Sequence, residues 1–265
     1  MSACNIIVRP DVAYLFADGA AYDRDGRVTS ISGKIQPLAS ISAAMITTGR
    51  VLDSIFYASA LDGCADDFDD LIENVSNWLP EIVLDCLKNF GLDDHGLGQR
   101  LVFAGWSKKR NACYGFGIAT MDDISGHKAF EVIGVETAMQ SPALTEAEFL
   151  TGFGHAPTMA DVADIENMAL TVVELQRQQK QEWADGQHIV GGILELVAVR
   201  RDHIESRVLK RWPDRVGEFI QPERIDWPAW RAARSAVKSD AVSGMSRLQR
   251  ERYAKKARKG TLRSV

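Results

Sequence analysis

The sequence predicts an α+β protein, a four-layer α-β-β-α sandwich of two antiparallel sheets over residues 1–215, followed by a basic, partly helical or flexible extension over 216–265. Strand-type and helix-type periodicities come in blocks (strands, helices, strands, a helix, strands) without strict β-α-β alternation. Such blocks favour antiparallel sheets covered by helices over a doubly wound parallel sheet. A chain of 265 residues, 46% hydrophobic and 25% charged, has the composition of a globular protein with a substantial core. Charge is unevenly placed: between Arg224 and Val265 twelve Lys/Arg stand against three Asp/Glu, a net of +9 that leaves −14 on the rest.

Residues 4–18 contain two short β-type runs separated by Pro10-Asp11, a turn-forming pair suited to a tight antiparallel connection. Asp23 to Gly26 reads as a turn, Val28 to Ile31 as a short strand, and Lys34 to Pro37 as an extended lead into Ile41–Thr48. From Arg50 to Leu61, Val51, Leu52, Ile55, Phe56 and Leu61 fall near helical spacing between Gly49 and Gly63. A second apolar stripe runs from Phe68 to Phe90 and predicts a helix interrupted or kinked near Pro80. Arg100–Trp106, Ala112–Thr120 and Phe130–Val135 return to strand character. A long helix entered through Thr158 is expected over 158–184, and two last strands over His188–Val199 and His203–Leu209.

No apolar run approaches the roughly 18 residues a membrane helix needs, and the N-terminus lacks a secretory pattern, so a cytoplasmic protein with no membrane partner is expected. Cys4, Cys64, Cys86 and Cys113 form no C-x-x-C pair, and the five histidines show no ligand spacing; no metal and no cofactor are predicted. The acidic run Asp62–Asp70 lacks the order of a calcium loop and reads as a solvated entry to a helix. Cys4 lies in the first strand and reads as buried. Gly115, Gly117, Gly191 and Gly192 read as bends or points of close packing.

Ser2, Asp18 and Lys34 stand 16 residues apart in turn. With Met1 removed, Ser2 would offer a hydroxyl nucleophile and its own α-amine, whose pKa of roughly 7.7–8.0 suits a base near neutral pH. A neighbouring ammonium, Lys34, would disfavour protonation of that amine, and Asp18 would hold the lysine charged and oriented. Retention of Met1 would turn the amine into an amide and close this route.

The stretch DVAYLFADGAAYDRDGRV, with the later SGKIQPL and ITTG segments, resembles the N-terminal half of proteasome β-type subunits and their bacterial relatives, the N-terminal nucleophile (Ntn) hydrolases. The resemblance extends weakly over residues 2–210. It implies Ser2 as nucleophile in place of the family's usual Thr, Asp18 and Lys34 as its supporters, and Gly49 as the oxyanion donor. It also implies a homo-oligomer. Two departures stand out: Gly134-Val135-Glu136-Thr137 replaces the family's G-S-G-type turn with His188 near the place of another supporting Ser, and Gly19-Ala20 lacks the Arg that usually follows the Asp.

The expected function is therefore hydrolysis of a peptide or amide substrate by Ser2, Asp18, Lys34 and Gly49. The alternative is a catalytically inactive scaffold or assembly subunit whose basic tail holds a partner. For Arg247–Lys259, a solvated tail, nucleic-acid phosphate binding and docking onto the acidic body of a neighbouring subunit all stay open.

Overall fold

Pro10 and Asp11 reverse the chain between β1 (Cys4–Arg9) and β2 (Val12–Asp18), which pair antiparallel with Cys4 opposite Ala17. This is seen in a computed structural model that describes residues 3–49, 51–90, 98–122 and 126–234. A turn in which the Asp23 carboxylate accepts the backbone N–H groups of Asp25 and Arg27 joins the small hairpin β3 (Ala20–Tyr22) and β4 (Val28–Ile31). Then come β5 (Ile35–Leu38), β6 (Ala43–Thr48), and the helices α1 (Val51–Cys64) and α2 (Phe68–Phe90). The next strands are β7 (Arg100–Ser107), β8 (Ala112–Ala119), β9 (Ile133–Val135) and β10 (Ala138–Ser141). Helices α3 (Glu146–Phe153), α4 (Met159–Val162) and α5 (Ile165–Gln178) precede the final hairpin, β11 (Ile193–Val199) and β12 (Ile204–Arg211).

The result is a mixed α+β fold with antiparallel sheets. One five-stranded sheet has the order β10-β1-β2-β11-β12, a second has β5-β6-β7-β8-β9, and every described strand pair is antiparallel. Period-two alternation divides the second sheet between two cores. Met45, Leu101, Phe103, Phe116 and Ile118 pack with Leu61, Leu71, Val75, Leu79 and Val83 of α1 and α2. Their sequence neighbours Ala44, Ile46, Val102 and Ala104 face Cys4, Ile6, Leu15, Ala17 and Val197 of the first sheet. Phe103 and Phe116, directly opposite in the ladder, stack at 4.6 Å between ring centroids.

Contacts group the chain into two units, residues 1–143 with 176–221 and residues 144–175 with 222–265. In the first, Ile220 is buried with Ala20 and Val28. In the second, residues 227–234 are helical and the Trp230 indole N–H donates to Thr171 Oγ1 at 3.3 Å. The basic stretch from 235 onward lies outside the described residues. No described helix is long and apolar enough to cross a membrane.

Some elements differ from expectation. The second helix passes through Pro80 without a break, because Val75, Leu79, Ile82, Val83 and Cys86 hold both halves in the core while Pro80 is half-exposed. The helix expected over 158–184 divides: Thr158 caps α4 in a reciprocal box with Asp161, α5 starts afresh at Ile165, and the region ends in a 3-10 turn at Glu182–Ala184. The short strand β10 and the helix α3, itself capped by Thr145 and Glu148, are additions.

Candidate active site

Asp18 is the last residue of β2, flanked by β1 and by Leu194 of β11, and is 0% exposed. A carboxylate so buried is tolerated only with its lone pairs occupied. Its Oδ1 accepts the Ala3 backbone N–H and the Lys34 ammonium, both at 2.9 Å. Its Oδ2 accepts the backbone N–H groups of Gly191 at 3.0 Å and Ala20 at 3.2 Å.

Lys34, 4% exposed, also donates to the Ala20 carbonyl at 2.6 Å. Burial moves its pKa below the usual lysine value, and the charge and hydrogen bond of Asp18 oppose that shift. The arrangement is a dehydrated ammonium held by one carboxylate, able to release or accept a proton at lower pH than a surface lysine. Asp18 belongs to the first sheet and Lys34 leads into β5 of the second, so the pair spans the two sheets.

The amide nitrogen of Ala3 that bonds to Asp18 is the atom through which Ala3 is joined to Ser2. Ser2 and Met1 lie outside the described residues. Gly49 follows β6, exposed, with φ +138°, in the left-handed half of backbone space that favours glycine. Because Ile35 pairs with Ile46, Lys34 and the Thr47–Gly49 end of β6 lie at the same end of the sheet. A Cβ on Gly49 would come within 2.8 Å of Gln99 Cγ, and the buried Gln99 in turn donates to Asp53. Asp18 and Lys34 are thus in direct contact, while Gly49 stands on the neighbouring strand end.

Other candidates resolve by environment. Burial pushes the Cys4 thiol up to about 12, so the thiolate needed for attack is scarce at neutral pH. His188 Nδ1 lies 3.1 Å from the Gln179 carbonyl, and its pKa is lowered chiefly by burial. Among the described residues no group of three or more His, Cys, Asp or Glu could hold a metal ion.

Sequence reasoning missed the far side of Asp18. Gly191, whose N–H reaches Oδ2, also accepts the N–H groups of Gly19 and Ala20 through its carbonyl, each at 3.0 Å. Behind the Gly191-Gly192 turn, Arg177 and Asp214 form a buried ion pair at 2.6 Å. No local pattern announces this pair, whose members stand 37 positions apart in the sequence.

No family model matches the chain, and no curated protein matches it in sequence. Among solved structures it is similar to Anbu, a Gly-1 mutant from Hyphomicrobium sp. strain MC1, with a TM-score of 0.54 and 12% identity over 93% of this chain and 98% of that one. These findings correct the expected resemblance to proteasome β-type subunits. At 12% identity and without a family match, the likeness to Anbu is a distant one of fold and does not assign the chain to that family.

Proposed function

We propose that the protein is an N-terminal nucleophile amidohydrolase cleaving peptide or amide bonds, with Ser2 as nucleophile once Met1 is removed. The observation that carries this reading is the sharing of Asp18 Oδ1 by the Ala3 N–H and the Lys34 ammonium, which ties the backbone atom bonded to Ser2 to the buried ion pair.

In this mechanism the α-amine of Ser2 accepts the hydroxyl proton as Oγ attacks the substrate carbonyl. The amine then passes the proton to the departing nitrogen as the amide bond breaks. Water, deprotonated by the same amine, next hydrolyses the ester on Ser2 and regenerates the hydroxyl. Lys34 disfavours protonation of the amine, Asp18 orients Lys34, and the Gly49 N–H stabilises the oxyanion. The reading includes the four-layer sandwich, a cytoplasmic homo-oligomer, and a basic C-terminal extension over 216–265 that contacts a partner or nucleic acid.

One observation favours a second reading, an inactive scaffold: His188, near the place of a supporting serine, is occupied by the Gln179 carbonyl. Intact mass and turnover separate the two. The proposal expects loss of one methionine and hydrolysis of peptide amides that Ser2→Ala reduces by about 10³-fold or more. Retained Met1, or unchanged turnover in Ser2→Ala, overturns it.

A further inference from the structure

We infer that Arg177 and Asp214 are positioning residues for the Asp18–Lys34 pair, acting through the Gly191-Gly192 turn; for its catalytic meaning this rests on the function proposed above. The side chains are 3% and 4% exposed, and the guanidinium meets both carboxylate oxygens, at 2.8 and 2.6 Å. Each partner also grips the turn. Arg177 donates to the Val190 carbonyl at 2.7 Å, and Asp214 Oδ2 accepts the Gly192 N–H at 2.7 Å.

Gly191, between those two attachments, faces the site. Its N–H donates to Asp18 Oδ2, and its carbonyl accepts from Gly19 and Ala20, the second of which supplies the carbonyl that Lys34 bonds. A continuous chain of hydrogen bonds therefore leads from the guanidinium to the ammonium. The contact leaves no room for adjustment: a Cβ on Gly191 would overlap Asp214 Oδ2 and come within 2.6 Å of Arg177. The indole of Trp212, with the guanidinium carbon 4.9 Å from its ring, adds a second restraint on Arg177.

Stability is a poor explanation for such a pair, since two buried ions are commonly replaceable by apolar residues at little cost. A pair that grips a turn on both sides of one N–H is suited to fixing that N–H, as the outer partners that orient metal ligands do, whose removal changes function by about 10- to 100-fold.

The test uses the full chain and reads Lys34 itself, by the 13Cε resonance of labelled lysine assigned through Lys34→Arg. The groups facing Lys34 are Asp18 on β2 and Cys4 on β1, with Glu195 of β11 at the neighbouring Ile35 N–H, and none is altered. The Arg177→Met/Asp214→Leu double variant keeps the volume and removes both grips. It is expected to fold, to let water reach Asp18, and to move the Lys34 titration up toward the free-lysine value by about half a unit or more. Arg177→Lys, which retains the charge, is expected to fall between it and the wild type.

A folded double variant that titrates like the wild type overturns the inference. So does failure of both variants to fold, which would make the pair purely structural. Turnover is read in parallel and is expected to fall by about tenfold or more. If the wild type hydrolyses nothing while Lys34 still shifts, the positioning stands and the proposed activity fails.

Discussion

Asn5 and Gln176, 171 positions apart in sequence, exchange two amide hydrogen bonds at 3.0 and 2.9 Å and are both fully buried. Asn5 also donates to the Phe16 carbonyl of β2, and Gln176 to that of Pro142. Changing either to Leu strands its partner without water, at a cost of about 1–3 kcal/mol. Denaturant midpoints should show this loss in Asn5→Leu and Gln176→Leu, with the double variant losing less than the two together.

Asp18→Asn removes the carboxylate that bonds the Lys34 ammonium at 2.9 Å. The variant is expected to lose about 3 kcal/mol at neutral pH, because it leaves a buried cation uncompensated. The sign with pH follows from burial. A lysine whose folded pKa lies below its unfolded value binds fewer protons when folded, so stability rises with pH between the two values. Unfolding titrations should therefore show Asp18→Asn recovering toward the wild type as the solution becomes alkaline, with the recovery beginning at lower pH than any Lys34 effect in the wild type.

Of the four thiols, Cys64 is exposed while Cys4, Cys86 and Cys113 are buried. A disulfide reagent should modify Cys64 rapidly in the native protein and the others only after denaturation. Cys4, raised from 9.0 to about 12, keeps its proton in the folded chain where the unfolded chain loses it, so it withdraws stability as pH climbs through that interval. Cys4→Ala should flatten the alkaline limb of the stability profile.

Gly49 combines a left-handed φ with contact against Gln99. Gly49→Ala is expected to cost about 1–3 kcal/mol through backbone strain and crowding. Adding Gln99→Ala relieves the crowding alone, so thermal melts should not reach those of the Gln99→Ala single variant. Turnover under the proposed mechanism should fall with Gly49→Ala.

Two truncations test the extension. Ending the chain after residue 234 keeps Ile220 against Ala20 and Val28, and Trp230 against Thr171, and should leave the melting temperature unchanged. Ending it after 215 exposes the Ala20–Val28 side of the hairpin and should cost about 2 kcal/mol or more. A loss with the 234 ending would show that the stretch beyond it supports the fold.

The strands themselves were legible: β1 and β2 about Pro10-Asp11, and β7 and β8 either side of Lys108–Asn111, are β-prone apolar runs bounded by turn residues. Ala138-Met139-Gln140-Ser141 has little strand propensity and is held by pairing with β1, a long-range contact no local pattern reports. The box Thr145-x-x-Glu148 was a readable start for α3, whereas apolar spacing carried across Ala163-Asp164 concealed the division of α4 from α5. At the site, the 16-residue spacing drew Asp18 and Lys34 together as a pair of opposite charges, and the two are in contact. Gly191, Arg177 and Asp214 had no such signal, because hydrogen bonds between distant parts of the chain bring them together.

The Asp18–Lys34 bridge has a mechanical consequence for the two large sheets. Apolar surfaces alone can slip by a pleat and find other apolar neighbours, but slippage here would pull a dehydrated cation off its anion. The two sheets are therefore pinned at this end like a hinge, and amide exchange that requires them to part should start from the opposite end.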